Sequence, residues 1–233
     1  MLHYTDLSVI VQTMARHAAT VPTAAAPTSE RRPVRERLLA AADELFYREG
    51  INNVGIDRVL QHAGVAKASL YTTFGSKDEL VRAYLQGRQQ SRGAPIAAGL
   101  ADQPTARGKL LAVFDAMADT LAQPGFRGCA FVMANAERPG GDGGKPVCDD
   151  YRQWIRTLFA QLARDTGARQ HALLAQQLLL LYDGALISAQ MDGTGDAGQD
   201  ARATAATLID AAVGPALSAG ADPARLAARR PAG

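Results

Sequence analysis

Cysteine is nearly missing from this sequence: Cys129 and Cys148 are the two among 233 residues. Two are too few to staple a small secreted scaffold, and neither sits in a CxxC or at a zinc spacing from histidine, so no metal and no cofactor are expected. Histidine is equally thin. His3, His17, His62 and His171 are scattered, with no HExxH, no Gly-rich phosphate loop and no nucleophile elbow, which argues against an enzyme. An excess of one charge is also lacking, because 25 Lys and Arg face 23 Asp and Glu for a net charge of +2. Any polyanionic partner must therefore be met by local charge. No stretch approaches the roughly 18 continuous apolar residues of a membrane span, and residues 7–11 are too short for a signal-peptide core and follow no basic flank. A cytoplasmic location without a membrane partner is the expectation.

What is present is 47% hydrophobic residues, enough for one large or two modest domains with a real core. The basic residues are concentrated: residues 31–92 carry 11 Lys and Arg against 7 Asp and Glu, whereas 93–233 carry 13 against 14. Residues 1–32, with VPTAAAPTSERRP at their end, are rich in Pro, Ala and Thr and lack an amphipathic period, so they read as a flexible extension in which Met14 is a second candidate start.

From Pro33 the pattern turns helical. Leu38, Ala42, Leu45 and Phe46 share one face, with Pro33 suited to the first turn and Gly50 to the stop. Ile56, Val59, Leu60 and Ala63 form a short second helix that ends at Gly64. Residues 67–74 form a third. Ser76 and Glu79 read as a capping box opening a fourth helix from Lys77 to about residue 91, closed by Gly93-Ala94-Pro95. Beyond it, 105–123, 129–137, 147–166, 168–191 and 201–219 are helical by period, separated by PGF, PGGDGGKP and DGTGDAGQ, and Asp149-Asp150 reads as a helix opening. The fold class is all-α: an N-terminal helix-turn-helix unit over 33–92, then a helical bundle over 93–233 with a disordered C-terminal tail.

AGVAKASLYTTFGSKDEL, residues 63–80, carries the chemistry. Two short helices joined by a tight Gly turn, the second polar on its outer face, describe a helix-turn-helix that offers a recognition helix to a major groove. Leu70 and Phe74 face inward. Ser69, Thr72 and Thr73 face outward toward phosphates or base edges, and Lys67 and Lys77 supply charge at either end. Lysines also sit on any solvated face, so the pattern alone leaves that plainer reading open.

Residues 35–85, above all AGVAKASLYTTF followed by SKDEL, resemble the DNA-binding domain of the TetR (TetR/AcrR) family of bacterial transcription regulators. The resemblance implies phosphate contacts by Tyr71 and Lys77, a recognition-helix lysine at Lys67 and base-facing positions at Ser69, Thr72 and Thr73. Val54, Gly55 and Ala66 stand where the family often carries hydroxyl residues, so binding is expected to lean on Arg31, Arg32 and Arg35 of the N-terminal arm.

The implied function is a repressor released from a roughly palindromic double-stranded operator by a small-molecule effector in the C-terminal domain. The alternative is a helical interaction module whose helix-turn-helix has lost specific DNA binding; a helical enzyme using Cys129 is a remote third reading.

HALLAQQLLLLYDGALISAQM, residues 171–191, is apolar almost all the way round, which predicts burial on both sides. Small residues at Gly184, Ala185, Ser188 and Ala189 permit close helix approach, and Ala201, Ala205, Leu208 and Ala212 give the last helix a smooth stripe. The family resemblance implies that these two helices build a homodimer interface, with the central helix of a monomeric bundle as the alternative. Phe114, Met117, Phe131, Met133, Trp154 and Tyr182 are the candidate lining of the ligand pocket, with Phe126 and Phe159 nearby, although such residues at helical spacing also make plain core. FRGCAFVMANAE, residues 126–137, resembles a stretch found in many members of the family. Cys129, beside Arg127 at a helix start, is the candidate redox or electrophile sensor, with simple burial as its alternative.

Overall fold

The computed structural model describes residues 32–137 and 144–214. Arg31, Met14, the rest of the extension and the tail from 215 lie outside the described residues. The helices are α1 (Val34–Glu49), α2 (Ile56–Ala63), α3 (Lys67–Phe74), α4 (Lys77–Ala101), α5 (Ala106–Leu121), α6 (Ala130–Ala136), α7 (Lys145–Asp165), α8 (His171–Asp192) and α9 (Asp196–Val213), with no strand among the described residues.

The first three helices fold around Leu38, Ala42, Phe46, Val54, Val59, Leu60 and Leu70, all buried. Val54 is fully enclosed, which accounts for an apolar residue just before α2. The turn between α2 and α3 is held from outside. Gly64 takes the left-handed conformation (φ 62°, ψ 41°), Val65 N donates to Leu60 O at 3.2 Å, and Arg37 of α1 donates from Nε to Ala63 O at 3.0 Å and from Nη2 to Gly64 O. A side chain at Gly64 would be strained by its φ and would meet that guanidinium.

α4 departs from the expected stop near residue 91. It runs on to Ala101 through Gly93 and Pro95, because Ile96 and Leu100 continue the buried face begun by Leu80, Tyr84 and Leu85. An interior proline costs about 3 kcal/mol, and burying two large aliphatic side chains returns about 1.5–3 kcal/mol each. The boundary drawn at 92/93 therefore falls inside one continuous helix.

Two helix starts are also corrected. α7 begins at Lys145 with Pro146 in its first turn, so Asp149 and Asp150 do not open it, and Asp149 pairs with Lys145 one turn back. α9 begins at Asp196 rather than 201, because Gly198 lets its first turn lie on α5: a Cβ there would stand 2.6 Å from Ala118 Cα. Arg107 of α5 pairs with Asp210 at the other end of α9 at 2.7 Å, so the two helices run antiparallel. The capping box is half made, Ser76 Oγ accepting from Glu79 N at 3.1 Å.

α8 is long and apolar enough to cross a membrane by length and composition alone. Here one side of it, Leu174, Leu178, Tyr182, Ala185, Leu186 and Ala189, is buried, and Asp183 in its middle pairs with Arg152 of α7 at 2.8 Å. The expected burial on both sides is not met within one chain: Leu173, Leu180, Ile187 and Met191 are exposed, Leu180 by 70% and Met191 by 80%. Ala185, Ala189, Ala201 and Ala205 are spent on the chain's own core.

Two substitutions check this packing. Gly198→Ala forces α9 away from α5 and is expected to cost about 1–3 kcal/mol; an unchanged melting temperature would contradict that close approach. Ala66, the N-cap of α3, makes no side-chain cap, so Ala66→Ser should add about 1 kcal/mol, read as a rise of about 2–4 °C in thermal unfolding.

Candidate nucleic-acid interface and the cavities behind it

α3 projects its polar face outward because Leu70 is sunk into the core and Phe74 is half-buried against it. Its eight residues span about 12 Å, close to the width of a major groove. Tyr71, at 47% exposure, stands out from this face.

Thr72 and Thr73 donate their hydroxyls back to Ala68 O (2.9 Å) and Ser69 O (2.6 Å). In that state they offer lone pairs and methyl groups outward, which suits base amino groups and thymine methyls better than phosphate. Ser69 is half-buried beside them.

The cations divide by how far each is already committed. Lys67 Nζ lies 3.2 Å from Asp57 Oδ1, both exposed, an ion pair of the kind worth little in water and easily exchanged for phosphate. Arg35 is exposed, with its guanidinium 5.5 Å from the Phe74 ring centre, beside the C-terminal end of α3. Lys77 is turned inward instead. Its Nζ donates to Ile51 O at 2.7 Å, and burial lowers its pKa, partly offset by Asp78 and Glu137. An ammonium has three donors, so one on Ile51 leaves two. Gly55, the N-cap of α2, has open space where a side chain would stand.

Behind this face a set of residues unnoticed in the sequence joins the three-helix head to the bundle. Tyr47 of α1 donates its hydroxyl to Gly128 O at 2.9 Å and accepts from Arg127 N at 2.9 Å. At the other end of α6, Glu137 Oε2 accepts from Asn52 N at 2.9 Å, and Glu137 O accepts from Asn52 Nδ2. α6 is thus fastened to the head at both ends. Arg88 of α4 stacks 3.9 Å over the Tyr47 ring and donates to both oxygens of Asp43 at 2.6 and 2.9 Å. The only hint in the sequence was composition, since Tyr47, Asn52 and Glu137 are polar residues at helix ends.

Two cavities flank α6. One of about 380 Å³ is lined by Cys129, Phe131, Cys148, Tyr151, Tyr182 and Ile187 among others. A smaller one of about 190 Å³ lies between Tyr47, Arg88, Arg92, Phe126 and Phe131. Of the six candidate pocket residues, Phe131 and Tyr182 line the larger cavity. Phe114 and Met117 are fully buried in core, Phe114 packing on Phe159 and Tyr182 with ring centres 5.8 and 6.2 Å apart. Trp154 packs on Tyr151, and Met133 is half-buried on α6. Cys129 is a buried free thiol at the N-cap of α6, and Cys148 is also buried, its Sγ 3.7 Å from Phe131 O. Tyr151 and Tyr182 meet hydroxyl to hydroxyl at 3.5 Å, and burial raises the pKa of both.

Comparison with known proteins bears on this geometry. Residues 38–84 match the family described as bacterial regulatory proteins, tetR family. The transcriptional activator FasR of Mycolicibacterium smegmatis is 36% identical over 93 residues, 40% of this chain and 41% of FasR. The chain spans between 41% and 66% of the length of the curated relatives it matches. Solved structures extend the likeness. A TetR-family transcriptional regulator from Streptomyces coelicolor is 31% identical, with a TM-score of 0.73 over 78% of this chain and 96% of that one. A tetr-transcriptional regulator from Streptomyces avermitilis is 34% identical, with a TM-score of 0.67 over 78% of this chain and 98% of its own. The helix-turn-helix, and the helical bundle that continues from it along α4, are shared with these regulators over nearly their whole length, and the chain belongs to the TetR family of transcription regulators.

Proposed function

We propose that this chain works as a homodimeric repressor that binds a roughly palindromic operator and is released from it by a small molecule held in the bundle. The observation that carries this reading is the double fastening of α6. The same short helix supplies Phe131 to both cavities and is tied to the head through Tyr47 at one end and Glu137 at the other. A ligand that prefers one position of α6 changes the relative energy of two head positions, and that differential affinity is what allows DNA to be released.

The dimer is supported by the exposed side of α8. Leu173, Leu180 and Ile187 recur at seven-residue spacing, with Met191 beside them and Gly184 open to close approach, the pattern of a helix that packs on a second helix. Two-fold pairing would set two copies of α3 one DNA turn apart and require a near-palindromic site. FasR is named an activator, so the sign of regulation is read from transcription of the target promoter with and without the protein. A cytoplasmic site of action follows from this reading. Cys129, enclosed at the N-cap of α6, would act as a sensor only through a reagent that enters the larger cavity.

Three outcomes are expected. Operator binding over a salt series should weaken about five- to tenfold for Tyr71→Phe and for Lys67→Ala, with Lys67→Ala lowering the salt slope by about one unit. Equal binding of wild type and both variants to operator and random duplex would favour the interaction-module reading. Leu180→Arg should shift the mass in light scattering from dimer to monomer and remove operator binding with it. Tyr47→Phe keeps the ring under Arg88 but loses both hydroxyl bonds. It should retain operator affinity while the effector found by operator-release screening loses at least about fivefold of its effect, and an unchanged response would exclude α6 as the link.

A further inference from the structure

Arg88 and Arg92 stand one helical turn apart on α4 and both line the 190 Å³ cavity. Arg88 is neutralised by both oxygens of Asp43. Arg92 is not. Its Nη1 is buried without a hydrogen-bond partner among the described residues. The ionisable groups acting on it most strongly are Tyr182, Tyr151, Cys129 and Tyr47, none of them a carboxylate. Tyr151 and Tyr182 are phenols, protonated at neutral pH at their ordinary pKa of about 10, and burial moves both further up, so they bring Arg92 no counter-charge. A guanidinium does not escape by deprotonation, and an uncompensated, partly buried cation lowers stability until an anion completes it.

We propose that Arg92 receives the carboxylate of a small organic acid in this cavity, with the acid's apolar body against Phe126, Ala130 and Phe131. This deepens, and rests on, the reading of the chain as ligand-responsive. The charge arithmetic selects the class. One guanidinium that faces no carboxylate among the groups acting on it most strongly matches a monoanion that accepts a charge-assisted N–H bond, whereas a dianionic phosphate would leave excess negative charge beside the Asp43–Arg88 pair. The volume selects the size, because about 190 Å³ lies below the roughly 300–1,000 Å³ of sites for drug-sized ligands and suits a single ring bearing an acid group. The place gives the acid a consequence. Tyr47 and Gly128, which join head to bundle, are themselves part of the cavity wall.

The test uses the full chain with benzoate, phenylacetate and benzamide at about 20 mM against sodium chloride of equal ionic strength. Both carboxylates should raise the melting temperature by about 3 °C, benzamide by much less. Arg92→Met should lose the preference, and Arg92→Lys should regain part of it. Equal shifts for acid and amide, no shift with either acid, or an undiminished preference in Arg92→Met would each overturn the proposal. Should the variants not unfold cooperatively, saturation-transfer NMR on the wild type decides, since benzamide signals as strong as those of benzoate contradict a carboxylate site. Operator binding in the same samples separates this proposal from the one it rests on. Arg92-dependent carboxylate binding that leaves operator affinity unchanged upholds the site and removes its regulatory role. Release by neutral compounds alone upholds regulation and overturns the site.

Discussion

Everything in this molecule hangs on α4 running unbroken from Lys77 to Ala101. Its first turns close the three-helix head through Leu80 and Tyr84, Tyr84 meeting Phe46 edge-on at 5.6 Å. Its last turns, through Ile96 and Leu100, lie in the bundle core. Pro95 opposes that continuity by removing one helical hydrogen bond, and the buried face on either side of it prevails. Were the helix to stop at Gly93, head and bundle would be joined only by contacts at the surface of each.

The middle of this helix carries the cations that give the junction its character. Arg88 is clasped by Asp43 and stacked on Tyr47, so it serves as structure. Arg92, a turn further on, faces phenols and a thiol in place of a carboxylate. The same residue type on the same helix face is thus a finished contact at one position and an open one at the next. α6 lies across this junction, and being only seven residues long it has little helix of its own to hold it. Its position is set by Tyr47 and Glu137 at its ends and by Phe131, stacked on Tyr151 with ring centres 3.9 Å apart. A helix held in that way moves when its ends or its one stacked ring are displaced, which is a reason to look for regulation there.

The recognition face shows how much local chemistry reveals. Gly64, Leu70, Ser76 and the outward polar residues of α3 stand where a helix-turn-helix needs them, and the reasons are short-range: a left-handed turn, a 3.6-residue period, a hydroxyl cap. Lys77 is the exception. Its place at a helix N-terminus suggests an anion contact, but the structure commits one of its donors to Ile51 O. Sequence spacing sets the face a residue sits on and leaves the direction of a long flexible side chain to its neighbours.

The sequence by itself determined the all-α class, the helix-turn-helix and the residues on its outer face, because capping, turn chemistry and hydrophobic period act within a few residues. Only the tertiary structure decided that α4 passes through Pro95 and that Gly198 belongs to a helix contact. It also decided that α8 hides one side and shows the other, and that Phe114 and Met117 are core while Phe131 and Tyr182 line a cavity. These depend on what lies opposite each residue in space. The partners of Tyr47 and Glu137 lie 81 and 85 residues away along the chain, and the absence of one for Arg92 Nη1 among the described residues becomes visible only once its surroundings are folded around it. No local pattern encodes such distances, since the energy that fixes them is gained only when separate helices meet.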